Sequence, residues 1–543
     1  MGLEKQFGEL RSFLERKPSS RTFDLIIQAL EAGASDNEAK VRAEWLPYAQ
    51  QRLESWPDHT RLCPKTRNAE FVREDALWHP LVRAIDFVGQ KPDLDRVDAF
   101  LSKPAIAQLK CLDMRSVDMP WEQIVLFAKR APFELDRFGL RRNGNYRNIR
   151  DSQIFTAKML SRCQALDLRG WSRGQAGLFD ALLRDFPLQH LRALDVSGGV
   201  MSTKRLREML DTGKLEQLEE LRMRRDHADK IRQGFIGEIV AHGGLPNLRV
   251  LQIIDHEHSE IEALATCEAF GNVEELRLDG DLSTKSLERL LESPHLTSLE
   301  SLRIVLKARQ VKASLAALAS SPALKNLKRL HVTWNMINVE LTPQDYIDLF
   351  ESPNLANLTH LAISLTRQDA LESLLGSSRL ENLEELLITI AEGDEETLKS
   401  ACAAAFHDVA LTKLERFAGV SENMGVLTAC LADTPLLGQL KALRVEFDDQ
   451  DDRLADLFHS PQLGNLEMLD LSRVGLLAMS TIFPALLQCE HLEALHYLLL
   501  ASSHHINEFH RYRVEDDNNN LPAILHTGFP ETVSFHTKDW MVR

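Results

Sequence analysis

A nine-residue pattern, Leu-x-x-Leu-x-x-Leu-x-(Leu/Ile/Val/Met), recurs along most of this chain. It is clean at Leu215–Met223 (LEQLEELRM), Leu296–Ile304 (LTSLESLRI), Leu324–Val332 (LKNLKRLHV), Leu380–Ile388 (LENLEELLI) and Leu463–Leu471 (LGNLEMLDL). Marking the third apolar residue of each motif gives the series Ile85, Leu112, Phe138, Leu166, Leu194, Leu221, Leu251, Leu276, Leu302, Leu330, Leu361, Leu386, Phe417, Leu443, Leu469 and Leu495. That is about 16 units at steps of 25 to 31 residues. A repeat of this length means a solenoid, in which each unit packs only on its neighbours.

Within a unit the x-Leu-x-Leu core alternates with period 2, as a short strand does. The stretch that follows has helical spacing, as at Leu287, Leu290 and Leu291 or at Leu371, Leu374 and Leu375. Several helices should stop at a Ser-Pro step (Ser293-Pro294, Ser321-Pro322, Ser352-Pro353, Ser460-Pro461), since proline cannot continue a helix. Strand then helix, repeated in one direction, forces parallel strands with the helices on one face. The expectation is a curved α/β solenoid with a concave parallel sheet and convex helices. One unit cannot fold alone, because ordering each residue costs about 1–2 kcal/mol of backbone entropy, which only stacked leucines offset.

The motif and its period resemble those of leucine-rich repeat proteins, and the helical convex segments look most like the ribonuclease-inhibitor-like class. The resemblance covers roughly residues 77 to 503. It implies a binding scaffold rather than a catalyst. In the family an asparagine usually stands three residues after the last strand leucine and bonds backbone between coils. Here Gly199, Asp281, Thr366 or Val474 holds that position, so the expected asparagine ladder is missing. Residues 1–76 lack the motif and read as a helical N-terminal cap, within which Ala43-Glu44-Trp45-Leu46 resembles a short companion domain of some bacterial relatives. Residues 504–543 read as the opposite cap, with an acidic turn at Asp516-Asp517-Asn518-Asn519-Asn520.

Charge narrows the function. The net charge is −16, from 80 acidic and 64 basic residues, which argues against nucleic acid and anionic membrane as partners. Seven scattered cysteines without a CxxC pair, no apolar leader and no membrane-length run predict a cytoplasmic protein with reduced thiols. Phosphate-binding loops, GxSxG and HExxH are absent, so no enzyme activity and no cofactor are expected. His256-Glu257-His258 could offer two imidazoles from one face of an extended segment, but no third ligand stands nearby. His504, His505 and His510 form a similar group. Asp448, Asp449, Asp451 and Asp452 lack the glycine and distal glutamate of a calcium loop. All three groups read as solvated loops.

The residue between the last two strand leucines should face away from the core. In order it is Asp86, Asp113, Gly139, Asp167, Asp195, Arg222, Gln252, Arg277, Arg303, His331, Ala362, Leu387, Ala418, Arg444, Asp470 and His496. The early aspartates are flanked two places on by Arg115, Arg141, Arg169 and Arg224, which reads as an ion-pair lattice. In the middle, Arg222, Arg277, Arg303 and His331 share a column with no carboxylate of its own. Either Glu220, Glu275 and Asp279 neutralise them from adjacent columns, or the column waits for a partner. With Trp334 at the rim, beside Asn335 and Met336, and with His360, these residues are the expected anchors for an acidic protein surface. Reversing Arg277 and Arg303 to glutamate should then abolish partner capture and leave unfolding nearly unchanged. Two other readings stand beside the recognition scaffold. One is a regulator or inhibitor of an enzyme such as a small GTPase, using Arg225 or Arg309. The other is a structural spacer or assembly subunit. A ligase resembling leucine-rich-repeat effectors is not expected, with only about 40 residues after the array.

Overall fold

The computed structural model of the chain describes residues 3–63, 76–86, 101–114, 121–140, 154–169, 176–225, 234–334, 339–391, 394–407, 409–420, 424–447 and 453–474, then 482, 485–486, 488–492, 494–495, 497–500 and 525–527. They fall into two units, one of residues 1–231 and 241–253 and another of residues 232–240 and 254–543.

The first unit opens with helices at Leu3–Glu15, Ser20–Lys40 and Leu46–Leu53, the last two joined by a π-helical turn at Val41–Trp45. Trp45 is buried and stacks on Phe7, ring centroids 5.2 Å apart. Its other side lies against Gly33, where an added Cβ would come within 2.1 Å of the indole Cζ3. A rigid, buried ring cannot yield, so Gly33→Ala should cost at least about 1–3 kcal/mol by overpacking. A thermal unfolding midpoint unchanged in that variant would contradict this packing.

Strands then follow one per repeat: β1 (Ala84–Asp86), β2 (Cys111–Asp113), β3 (Arg137–Gly139), β4 (Ala165–Asp167), β5 (Ala193–Met201), β6 (Glu220–Arg225) and β7 (Val250–Ile254). From β1 to β6 each pairs in parallel with the next. The second unit continues the rule with β8 (Glu275–Leu282), β9 (Ser301–Leu306), β10 (Arg329–Trp334), β11 (His360–Leu365), β12 (Glu385–Ile390), β13 (Arg416–Val420), β14 (Ala442–Phe447), β15 (Met468–Val474), β16 (Tyr497–Leu500) and β17 (Leu525–Thr527), again parallel and in sequence order. Each unit is therefore an α/β solenoid with an open parallel sheet. The marked leucines form one register line: Leu276, Leu302, Leu330, Leu361, Leu386, Phe417, Leu443 and Leu469 stand opposite one another and are buried.

The sixteenth position is corrected. Leu469 pairs with Leu498, not Leu495. Leu492 and Leu495 are the first two leucines of that motif and Leu498 and Leu500 the last two, so the residue in register with Asp470 is Leu499 rather than His496, which lies outside the described residues.

Helices return the chain on the other side, for example Thr203–Asp211 in the first unit and Thr284–Leu291, Val311–Ser320, Pro343–Phe350 and Ala370–Leu375 in the second. They start where Ser202, Ser283 and Thr342 cap their free N–H groups. Past their ends the serines act between repeats. The hydroxyls of Ser293 and Ser377 donate to the carbonyls of Ala265 and Phe350 at 2.7 and 2.8 Å, and those of Ser352 and Ser460 to Ala319 and Ala432.

The missing asparagine ladder has two replacements. One carbonyl just before each strand accepts two N–H groups from the next repeat: Glu300 from Lys328 and Arg329, Lys328 from Thr359 and His360, Thr359 from Glu384 and Glu385. The first unit does the same at Arg83, Lys110, Asp136, Gln164 and Arg192. The second replacement is a carboxamide ladder at another motif position, immediately before the second leucine. Asn326, Asn357, Asn382 and Asn465 donate to the carbonyls of Thr297, Lys325, Ala356 and Gly438, each one repeat back. Where Thr366 stands at the family's asparagine position, its N–H is taken by the hydroxyl of Tyr346 at 2.8 Å.

Candidate partner-binding face

Three rows of side chains alternate with the core leucines on the strand face. The middle row of the second unit is Arg277, Arg303, His331, Ala362, Leu387, Ala418, Arg444 and Asp470, each opposite the next in register. The row two residues earlier holds Glu275, Ser301, Arg329, His360, Glu385 and Arg416. Arg222 belongs to the first unit, opposite Asp195.

The middle row is neutralised rather than vacant. Arg277 contacts Glu275 through Nη2, and the other oxygen of Glu275 faces Arg329 at 3.7 Å. Arg303 Nε lies 3.0 Å from Asp279. In the first unit Arg222 sits 3.3 Å from Glu220 and 3.9 Å from Asp195. Asp195 also takes Arg169 at 3.3 Å, while Arg169 grips Asp167 at 2.7 Å. The ion-pair lattice read from the early aspartates is thus present at Asp167 and Arg169. Arg115 and Arg141 lie outside the described residues.

Burial corrects the site further. Arg277 is only 1% exposed and His331 8%. Burial first, then the charges of Arg303 and Arg277, push the His331 imidazole down to about 3, so it is neutral at physiological pH and adds no charge to the column. Trp334 is not at the rim. It is the last residue of β10, stands opposite Leu306 in the inward row and is 5% exposed. Asn335 and Met336 beside it lie outside the described residues. The half-exposed cations of this face are Arg303, Arg329 and Arg416, with His360 between them.

His360 leads to a residue that sequence reasoning passed over. Its Nδ1 shares a hydrogen bond of 2.7 Å with Thr359, and its Nε2 lies 3.6 Å from Glu385. Glu385 is fully buried, with Arg416 Nη1 3.2 Å away. Burial outweighs that guanidinium and raises the carboxyl to about 8. The available signal was its row: Glu385 stands between His360 and Arg416 in register.

The His256–His258 stretch runs into a helix start, with only Glu257 in extended backbone before His258. Glu257 is the N-cap of the helix His258–Thr266, in a capping box with Glu260, and His258 bonds Ser286 through Nδ1. Glu260 also accepts the N–H of Phe235 at 2.6 Å. The imidazoles therefore sit on different elements of a helix start. Among the described residues no group of three or more His, Cys, Asp or Glu is arranged to hold a metal, and no helix is long and apolar enough to cross a membrane. The aspartates 448–452, His504, His505, His510 and the 516–520 turn lie outside the described residues. Arg309 is exposed just after β9, and Arg225 ends β6.

No protein-family model and no curated protein matches this chain. Solved structures do match, among them a structural-genomics protein from Bacteroides fragilis, at 15% identity, covering 63% of this chain and 76% of that one with a TM-score of 0.27. At that level of likeness the fold rests on the strands, helices and registers described above.

Proposed function

We propose that this chain is a leucine-rich-repeat protein of the ribonuclease-inhibitor-like class that works without catalysis, as a cytoplasmic scaffold recognising a protein partner. The observation that carries the reading is the half-exposed row on the second unit's strand face. Arg303 and Arg329 are held by the carboxylates of Asp279 and Glu275, while His360 and Arg416 flank the carboxyl group of Glu385. Side chains fixed before binding lose little entropy on contact, so modest interactions spread over several repeats sum to useful affinity. Arginines so placed favour an acidic surface with planar carboxylates. The anchors are narrowed accordingly to Arg303 and His360, with Arg222 serving the first unit. Arg277, His331 and Trp334 support the face from within. Thiols not engaged in disulfides at all seven cysteines support a reducing compartment.

The test is capture from an extract of the native cell followed by mass spectrometry, repeated with Arg303→Ala/His360→Ala. Both side chains are half-exposed, so unfolding should shift by less than about 1 kcal/mol. Removing two central anchors should weaken partner binding at least about tenfold, given about 1–2 kcal/mol for each. Equal capture by the variant would reject the face, and a monomer that captures nothing would reject the scaffold.

A further inference from the structure

A buried carboxyl sits between two basic side chains of the strand face. Glu385 on β12 stands opposite His360 on β11 and Arg416 on β13. Both neighbours approach the same oxygen: Arg416 Nη1 donates to Oε2 at 3.2 Å, and His360 Nε2 lies 3.6 Å from it. The other oxygen, Oε1, is buried with no hydrogen-bond partner. An ionised carboxylate suffers more from such a dry oxygen than a neutral acid does. Beyond the trio stand Arg329 on β10, opposite His360, and Glu384 just before β12; the first favours ionisation and the second opposes it.

The histidine is oriented toward this carboxyl. Thr359 donates its hydroxyl proton to the carbonyl of Lys328 at 3.1 Å, so its oxygen accepts from His360 Nδ1 at 2.7 Å. That places the proton of the neutral ring on Nδ1 and turns the bare Nε2 toward Glu385. The outward charge of the trio then depends on one buried proton. While Glu385 keeps it, Arg416 contributes a positive charge, and His360 another whenever its ring is protonated. When Glu385 loses it, the sum drops by one and both neighbours are drawn to Oε2. Burial, outweighing Arg416, raises this carboxyl to about 8, so the loss falls just above neutral pH.

We propose that Glu385, His360 and Arg416 form a proton-operated charge switch on the partner-binding face, open to an acidic surface while Glu385 is protonated and closed when it ionises. The switch rests on the reading of this face as the one that meets the partner. By linkage, an acidic partner favours the protonated state in return, so its binding takes up a proton at mildly alkaline pH.

Two measurements on the full chain test this. In histidine-labelled protein the His360 ring resonance, identified by its loss in His360→Gln, should shift in a step centred near pH 8, and Glu385→Gln should remove the step. Fluorescein-labelled hexaglutamate, itself fully ionised from pH 7 to 9, should bind roughly fivefold more weakly at pH 9 than at pH 7, the effect of one unit charge at contact distance in water. In Glu385→Gln its affinity should stay level. Absence of the His360 step in the unaltered chain, which needs no variant to fold, overturns the switch, as does a step that persists in Glu385→Gln. Equal hexaglutamate binding at both pH values overturns it too. A step at His360 without any hexaglutamate binding upholds the switch and rejects instead the acidic-partner reading of the face.

Discussion

Arg277→Glu should destabilise the second unit severely, by about 3–5 kcal/mol, the usual cost of leaving a buried charge without its partner. The guanidinium is 1% exposed and touches Glu275, itself buried. A glutamate there would set two carboxylates together away from water, with His331 unable to help because it is neutral. Arg329, 3.7 Å from Glu275, would be the remaining counter-charge. Replacing both partners by Arg277→Met and Glu275→Gln should restore most of the loss, because removing a buried pair as a unit is often nearly neutral. Arg303→Glu is the contrast: its side chain is 27% exposed, so reversal should cost about 1 kcal/mol or less. Chemical unfolding followed by circular dichroism separates the three. An Arg277→Glu midpoint equal to the parent's would refute the buried pair. The joint reversal of Arg277 and Arg303, which on sequence grounds should spare stability, is therefore unsuitable as a test of binding.

That contrast marks what the residues alone could disclose. Leucine spacing encodes the register because a period-2 strand must present every second residue to the core, and fifteen marked positions fall on strands as spaced. The sixteenth slipped by three because His-Leu-Glu-Ala-Leu-His-Tyr-Leu-Leu-Leu offers several overlapping phases, and pairing of Leu498 with Leu469 selects one. The column order of Arg277, Arg303 and His331 was legible for the same reason. Their burial was not, since it depends on how long side chains of adjacent rows fold over one another. Glu220, Glu275 and Asp279 were visible as candidate counter-charges, but their reach is a three-dimensional fact. The carboxamide ladder was written in the chain as Asn-Leu at Asn326, Asn357, Asn382 and Asn465. It escaped notice because the spacer positions of the motif look interchangeable until a carbonyl from the previous repeat is placed beside them.

Stability should pass through a plateau between about pH 4.5 and 6.5 and fall on both sides, with two buried groups on the strand face responsible. Glu385, facing Arg416, Glu384, Arg329 and His360, holds its proton to about 8 when folded, against 4.5 ordinarily. Its contribution is complete below pH 4.5, declines as the pH rises, and is gone above about 8. His331, facing Arg303 and Arg277, refuses a proton until about 3, against 6.5 ordinarily. Its contribution is complete above pH 6.5 and declines as the pH falls toward 3. Each slope is about 1.4 kcal/mol per pH unit where only one of the two forms is charged. The slopes oppose one another between pH 4.5 and 6.5 and cancel. From pH 6.5 to 8 only Glu385 acts, giving a loss of roughly 2 kcal/mol. Glu385→Gln keeps the shape and the Arg416 contact but cannot ionise, so it should abolish that alkaline loss and extend the acid limb up to pH 6.5. Urea midpoints from pH 4 to 9 for both proteins decide the matter. The assignment fails if the fall above pH 6.5 persists unchanged in Glu385→Gln.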